Sequence, residues 1–192
     1  VVRFAKEMRD DAIRRDFTMN ALYADRNGIV ADPLDGLPDL NARLVRFIQD
    51  PDKRIKEDFL RILRFFRFSA WYADPLNGFD PDALDAIAQN LDGLGSLSRE
   101  RVGSEMMKLM RAADPVAAKA VMQQTGVLPT ILPGATSRAL GPLVHLETQL
   151  HIDVDPLRRL AAIGVFDGAS LRLSKAHQRQ LDMYQRLISS LD

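Results

Sequence analysis

Residues 50–72 read DPDKRIKEDFLRILRFFRFSAWY, and this stretch best predicts the fold class of the chain. Asp50 followed by Pro51 is typical of a helix start, because the carboxylate accepts backbone N–H groups and proline fits the first helical turn. The stretch predicts one helix that continues through Tyr72. Its apolar residues are too many for a single stripe, so this helix should be buried on more than one side. They are Phe59, Leu60, Ile62, Leu63, Phe65, Phe66 and Phe68.

The segments around this helix predict a mostly α protein with a small β remnant at its N-terminus. Val1-Val2-Arg3-Phe4 reads as the end of a strand, and two short apolar runs, residues 21–24 and 28–31, flank an Asn27-Gly28 pair. Asn-Gly is a strong signal for a tight hairpin turn, because both central residues adopt positive φ. These strands are too few to close a sheet of their own. Every segment after Gly36 has the apolar spacing of a helix.

The composition excludes several classes of protein. The chain has 192 residues, 46% hydrophobic and 27% charged, as in a globular protein of one or two small domains. The absence of cysteine excludes a disulfide scaffold, a thiolate zinc site and a cysteine nucleophile, and it fits a cytoplasmic location. No apolar run approaches the roughly 18 residues of a membrane span, so no membrane partner is expected. The net charge of +0 does not indicate a strongly basic nucleic-acid module, although residues 43–67 hold eight basic and four acidic side chains.

The first candidate cluster is Arg14-Arg15-Asp16, with Asn20 following closely. The arginines can donate to phosphate oxygens, and the aspartate can accept from ribose hydroxyls. In a simpler interpretation Asp16 caps a helix and Arg15 lies in solvent. The spacing alone favours the simpler interpretation.

The second candidate cluster is Asp32-Pro33-Leu34-Asp35-Gly36, followed by Asp39. Several carboxylates near one turn can hold a hard metal ion. Asp, Pro and Gly in such numbers more often build a turn and cap the next helix. The sequence therefore predicts a turn here and no metal site.

The third candidate cluster is formed by Glu57, Asp58, Arg61 and Arg64. At spacings of three and four residues these side chains share a face of the predicted helix. A guanidinium beside a carboxylate presents donors and acceptors in one plane, so Asp58 and Arg61 can match the hydrogen-bonding edge of a nucleobase. The alternative is an intrahelical salt bridge on the surface. The flanking phenylalanines weaken this alternative, because a charged pair on a half-buried helix is costly unless it is used.

Together, four segments resemble class II tRNA nucleotidyltransferases, the family of CCA-adding enzymes and bacterial poly(A) polymerases. They are RRDFTMNAL at residues 14–22, DPLDGLPDL at 32–40, RIKEDFLRILR at 54–64 and SRERVGSEMMKL at 98–109. The order and spacing of all four agree with the family over residues 3–112. The resemblance implies the C-terminal part of a polymerase-β-like nucleotidyltransferase head at residues 1–36. It further implies a helical neck that binds the nucleotide base and RNA at 37–112, and a helical body and tail at 113–192.

The resemblance also implies a function, namely template-independent addition of C and A residues to tRNA 3′ ends from CTP and ATP. The expected partners are therefore nucleoside triphosphates and the 3′ end of tRNA or another RNA. The expected reaction is a two-metal nucleotidyl transfer with Mg²⁺, whose ligands would lie outside this chain. Alternatives are a poly(A) polymerase or A-adding enzyme of the same family, or a helical RNA-binding module without catalysis.

Carried over residue by residue, the resemblance predicts a site. Arg15, Asp16 and Asn20 would contact the ribose and triphosphate of the incoming nucleotide. Asp58 and Arg61 would read its base. Four supporting residues would hold this arrangement: Glu57 and Arg64 beside the base-reading pair, and Glu105 and Lys108 within the neck.

The sequence departs from the family pattern upstream of Arg14. Family members carry a Gly-Gly-x-x-Arg-Asp segment and an Asp-x-Asp metal pair there, whereas this stretch has only the adjacent Asp10-Asp11. We therefore expect a fragment of a longer enzyme that lacks the first part of its head and is inactive by itself, and we assign no catalytic or metal-binding residue. Asp35 also departs from the small residue usual in the family, which bears on the flexibility of that loop.

Overall fold

The computed structural model describes residues 7–136 and 139–190, and the predicted strand at residues 1–4 lies outside them. The described part is mostly helical with one small β-hairpin, which confirms the predicted fold class. The helices are α1 (Met8–Arg14), α2 (Leu37–Asn41), α3 (Pro51–Glu57), α4 (Leu60–Tyr72), α5 (Pro81–Gln89), α6 (Arg99–Met110), α7 (Val116–Gln124), α8 (Val127–Ile131), α9 (Leu140–Gln149), α10 (Pro156–Ala162) and α11 (Lys175–Ser189). Short 3₁₀ helices lie between several of them.

The predicted hairpin is present, but its loop spans residues 25–29 and is not the predicted tight turn, because Gly28 takes a positive φ and Asn27 does not. Strand β1 (Tyr23–Ala24) pairs antiparallel with β2 (Val30–Ala31). The Asp25 carboxylate closes the loop between them by accepting the backbone N–H groups of Asn27 and Ile29, each at 2.8 Å. Gly28 takes a φ of 82°, the left-handed region that favours glycine.

The prediction of one helix over residues 50–72 is wrong, because the helix is interrupted at Asp58. Helix α3 begins after the Asp50 cap and ends at Glu57, and Asp58 takes the extended backbone angles φ −159° and ψ 105°. The Asp58 carboxylate accepts the N–H of Leu60 at 3.1 Å. Aspartate side chains compete with helical hydrogen bonds in this way, which places a helix boundary just before the apolar residues that begin at Phe59.

Aromatic packing joins the N-terminal segment to α4, the helix that lies at the centre of the core. The ring centroids of Phe17 and Phe47 are 5.0 Å apart, and Phe47 stacks on Phe65 of α4 at 5.7 Å. All three side chains are fully buried. Backbone hydrogen bonds from Thr18 to Arg46 and from Ile48 to Asp16 pair the two loops on both sides of this contact. Asp16 is thereby fixed close to α4.

A buried arginine joins α6 to the C-terminal helices. Arg159 of α10 is 1% exposed and forms an ion pair of 2.8 Å with Glu147 of α9. It also donates to the carbonyl oxygens of Met110, Ala112 and Ala113. These carbonyls lie at and just beyond the end of α6, where helices leave acceptors without helical partners.

No helix in the described ranges is both long enough and apolar enough to cross a membrane.

Candidate functional site

A cavity of about 300 Å³ opens where the loop after α1 meets α4 and α6. Its lining includes all five residues predicted to bind nucleotide. The complete lining is Arg14, Arg15, Asp16, Asn20, Asp58, Leu60, Arg61, Arg64 and Arg101. Five arginines against two aspartates give this cavity an excess of positive charge, which suits a ligand that carries phosphates.

Asp16 is the most buried charged group of the cavity, with 4% of its surface exposed. Its Oδ1 accepts from Asn20 Nδ2 at 2.7 Å and from the N–H of Phe17 at 3.2 Å, and its Oδ2 accepts from Arg64 Nε. Burial raises the pKa of Asp16, but the hydrogen bonds from Arg64 and Asn20 and the charge of Arg64 outweigh it, so the pKa lies below its ordinary value. Asp16 is therefore held as an anion. It caps no helix, in contrast to the simpler interpretation of the sequence.

Arg15 and Asn20 lie beside Asp16. The Arg15 guanidinium lies over the Tyr23 ring, 5.0 Å from its centroid, and forms an ion pair of 3.3 Å with Asp11, so it is not a freely solvated side chain. The Oδ1 of Asn20 is buried and accepts no hydrogen bond from the described residues. An acceptor buried without a partner is unusual in folded proteins. Asn20 is thus a residue of the cavity lining whose side chain Asp16 holds in place.

Arg61 is held at three points and is mostly buried. Its Nη1 donates to Glu57 Oε2 at 2.6 Å and to the carbonyl of Arg54 at 2.7 Å, while its Nη2 donates to the carbonyl of Arg14 at 3.1 Å. Arg54 also donates to Glu57 Oε2, and its other terminal nitrogen donates to the carbonyl of Arg15. Glu57 thus lies beside Arg61 as expected, and Arg54 of α3 and Arg61 of α4 hold the backbone before Asp16. The sequence reasoning missed Arg54, which reads as a surface residue of α3.

Asp58 and Arg64 differ from the predicted arrangement. Arg64 pairs with Asp16, and the ion-pair partner of Asp58 in the described part of the chain is Arg101 of α6, at 2.7 Å. Asp58 and Arg61 therefore form no intrahelical salt bridge with each other, because the break at Asp58 separates them. Arg101 lies within residues 98–109, which resemble the family, but the resemblance predicted no role for it.

Glu105 and Lys108 lie outside the cavity lining. Glu105 of α6 is 3% exposed and pairs with Arg67 of α4 at 2.6 Å and with Lys108 at 3.0 Å. This cluster joins the two helices that flank the cavity. Arg67 is a further residue that the sequence reasoning did not include.

The aspartate-rich segment at residues 32–39 forms a turn. The Asp32 carboxylate accepts the N–H groups of Gly36 and Leu37, each at 2.8 Å. Burial raises the pKa of Asp32, but these backbone hydrogen bonds lower it below its ordinary value. Asp35 has a φ of 57°, and Asp39 accepts from Thr18 Oγ1 at 2.6 Å. The carboxylates of Asp32 and Asp39 are thus used in hydrogen bonds within the fold.

The described residues form no group of three or more His, Asp or Glu side chains that would hold a metal ion. The Asp-x-Asp patterns at residues 50–52, 80–82 and 153–155 lie at the beginnings of α3, α5 and α10. Asp50 and Asp155 accept backbone N–H groups there as helix caps. The residues present therefore do not fit a Mg²⁺ centre.

Two family models match this chain. The model described as poly A polymerase head domain matches residues 1–46, and the model described as probable RNA and SrmB-binding site of polymerase A matches residues 78–138. The curated relatives agree with these matches. The mitochondrial CCA tRNA nucleotidyltransferase 1 of Homo sapiens is 40% identical over 109 residues, which are 57% of this chain and 25% of that protein. The CCA-adding enzyme of Geobacillus stearothermophilus is 37% identical over 139 residues, which are 71% of this chain and 33% of that enzyme.

Solved structures extend the similarity to nearly the whole chain. The Bacillus stearothermophilus CCA-adding enzyme in complex with CTP superposes with a TM-score of 0.75 at 28% identity, covering 98% of this chain and 48% of that one. A tRNA nucleotidyltransferase with a primer tRNA and an ATP analogue has the same fold, with a TM-score of 0.75 at 20% identity, covering 100% of this chain and 61% of that one. The chain spans between a quarter and a third of the length of the two curated relatives.

Proposed function

This chain belongs to the class II CCA-adding enzyme and poly(A) polymerase family, and on that premise we propose that it selects nucleotides for an enzyme that adds C and A residues to tRNA 3′ ends. One observation carries the proposal. Arg15, Asp16, Asn20, Asp58 and Arg61, which the resemblance assigns to nucleotide binding, all line one positively charged cavity. We also propose the division of the chain that the family resemblance implies, into part of a head at residues 1–36, a neck at 37–112 and a body and tail at 113–192.

The base is selected by one acceptor and one donor. The Asp58 carboxylate accepts from the exocyclic amino group of cytosine or adenine, and Arg61 donates to the ring nitrogen or carbonyl beside that group. Uracil and guanine present a carbonyl oxygen where the amino group would lie, so Asp58 would face a second acceptor. Wrong bases therefore leave the Asp58 carboxylate facing another acceptor, and a polar mismatch of this kind discriminates strongly between ligands. Glu57 fixes the Arg61 guanidinium at 2.6 Å, so little ordering is needed on binding.

The sugar and triphosphate lie toward the loop after α1. Arg15 and Arg64 supply positive charge there, and Asn20 lies beside them in the cavity lining. Asp16 fixes both Asn20 and Arg64 by hydrogen bonds. Its negative charge also limits how tightly the triphosphate is held, which allows product release.

Transfer itself requires groups beyond the cavity. Divalent metal ions in such reactions activate the attacking hydroxyl and stabilise the leaving diphosphate. Because the described residues do not fit a Mg²⁺ centre, we derive no step through it and propose that its ligands lie outside this chain. The chain by itself is then expected to bind nucleotides weakly and to transfer none. The tRNA 3′ end as acceptor and a cytoplasmic location are also proposals, since the relatives include mitochondrial enzymes.

The proposal is tested by titrating the 192-residue chain with CTP, ATP, UTP and GTP, followed by NMR chemical shifts at low ionic strength. We expect CTP and ATP to bind several-fold more tightly than UTP and GTP. Asp58→Asn should abolish this preference without lowering the thermal midpoint by more than a few degrees. Selectivity for ATP alone would instead support an A-adding enzyme or a poly(A) polymerase. Equal affinity for all four nucleotides, or no binding, would refute nucleotide selection and leave a helical RNA-binding module.

A further inference from the structure

Arg101 of α6 lines the cavity and holds Asp58, although nothing in the family resemblance gives it a role. We propose that Arg101 is a positioning residue for base selection, which orients the Asp58 carboxylate toward the nucleobase and prevents it from pairing with Arg61. The proposal rests on the proposed function of this cavity and assigns one more residue to its specificity.

The position of Arg101 in its helix is the first argument. Ser98 caps α6 and accepts the N–H of Arg101, which is the third residue of the helix. Glutamate or glutamine is typical at this position after a serine cap, because it completes a capping box and suits the positive end of the helix dipole. A cation here is locally unfavourable. The stability of α6 therefore does not explain Arg101, whereas a partner across the cavity does.

The geometry of Asp58 is the second argument. Its Oδ1 accepts from the N–H of Leu60 at 3.1 Å and its Oδ2 accepts from Arg101 Nη2 at 2.7 Å. Two donors on two different oxygens fix the plane of the carboxylate. Each oxygen keeps a second lone pair, so a base amino group can still be accepted.

The charge around Asp58 is the third argument. Without Arg101, Asp58 still has a cation of the cavity nearby in Arg61, three residues along the chain. The Arg61 guanidinium is itself held by Glu57 and two backbone carbonyls. A carboxylate that turned toward Arg61 would satisfy the donor that should read the base. The Asp58 carboxylate and the Arg61 guanidinium would then bond to each other and not to the base. Arg101 prevents this by offering Asp58 a different partner.

The exposure of the pair makes the proposal testable without unfolding the protein. The side chains of Arg101 and Asp58 are 47% and 35% exposed, and ion pairs of that exposure contribute little to stability. Arg99 is exposed on the same turn of α6 and lies outside the cavity lining, so Arg99→Ala removes the same charge from the same helix end without touching Asp58.

The experiment compares the ratio of the dissociation constants for UTP and CTP in the wild-type chain, Arg101→Ala, Arg101→Lys and Arg99→Ala at one ionic strength. In Arg101→Ala we expect the ratio to fall toward one, by up to about tenfold, the effect of one misplaced charge-assisted hydrogen bond. Arg101→Lys should restore part of the ratio, since it keeps the charge but lacks the planar fork. Arg99→Ala should leave the ratio unchanged. In an Asp58→Asn background, Arg101→Ala should have no further effect on the ratio.

Three results would overturn the inference. Equal weakening of CTP and UTP in Arg101→Ala would make Arg101 a phosphate contact. An unchanged ratio in Arg101→Ala, with a selective wild type, would remove Arg101 from base selection while the proposed function stands. A wild-type chain that does not distinguish the two nucleotides would refute the proposed function and this inference with it. Thermal unfolding of each variant separates these results from a loss of fold.

Discussion

The ion pair between Asp16 and Arg64 gives a prediction about stability at the candidate site. Asp16→Asn keeps the size of a side chain that is 4% exposed but removes its charge. The amide oxygen can still accept from Asn20 and from the N–H of Phe17, which turns the amide nitrogen toward Arg64 Nε, a donor facing a donor. A hydrogen bond to a charged group contributes about 1.5–3 kcal/mol. We expect Asp16→Asn to lower the free energy of unfolding at pH 7 by about 2 kcal/mol.

The loss should depend on pH in a direction that the pKa of Asp16 fixes. This pKa lies below its ordinary value of 3.8 in the folded chain. Well above pH 3.8 the carboxylate is ionised in the folded and the unfolded chain, and its contribution is complete. As the pH falls below this value the unfolded chain takes up the proton first, so the contribution is lost as the pH approaches the folded pKa. The variant lacks this group, and its difference from the wild type should therefore shrink in acid.

Urea unfolding followed by circular dichroism measures both effects. With a slope of about 2 kcal/mol per molar urea, the expected loss moves the midpoint by about 1 M at pH 7. Asp10→Asn, which alters an exposed aspartate of α1, serves as the control and should change the free energy of unfolding by less than about 0.5 kcal/mol. A difference for Asp16→Asn that is as small as that of the control, or that is equal at pH 7 and pH 3.5, would refute the reasoning.

Further predictions concern packing and charge elsewhere in the chain. Arg159→Met should lower the free energy of unfolding by about 3 kcal/mol, because it removes the donor to three backbone carbonyls and one ion-pair partner of Glu147. Arg158 also pairs with Glu147, but its side chain is 27% exposed, so Arg158→Met should lower the free energy of unfolding by only about 1 kcal/mol in the same urea assay. Gly103→Ala should cost about 2 kcal/mol, since its Cβ would lie 2.0 Å from the carbonyl oxygen of Leu171, and an equal midpoint for Gly95→Ala, which meets nothing within 4 Å, would contradict this. Inorganic triphosphate should compete with ATP for the cavity, and both should bind more weakly as salt rises; affinities independent of ionic strength would argue against a phosphate site.

The family resemblance, and not the spacing of the residues alone, assigned the residues of the candidate site. The residues of the 14–22 and 54–64 segments were assigned to one nucleotide-binding site by resemblance, and they line one cavity in the fold. Local rules also predicted the hairpin and the helix that begins at Asp50, because caps, turns and apolar spacing act over a few residues. The assignment of these residues to nucleotide binding stays a prediction until binding is measured.

The pairing of the charges could not be predicted in the same way. The sequence offers Asp58 two arginines at helical spacing, Arg54 and Arg61. Nothing local indicates that its partner is Arg101, 43 positions away, or that Arg64 reaches back 48 positions to Asp16. An ion pair depends on distance in space, and these distances are set by how α4 and α6 pack and by the break at Asp58. The sequence by itself thus determined the helical fold class and the residue types of the cavity. Only tertiary packing decided which carboxylate each guanidinium neutralises, and hence which groups remain available to a ligand.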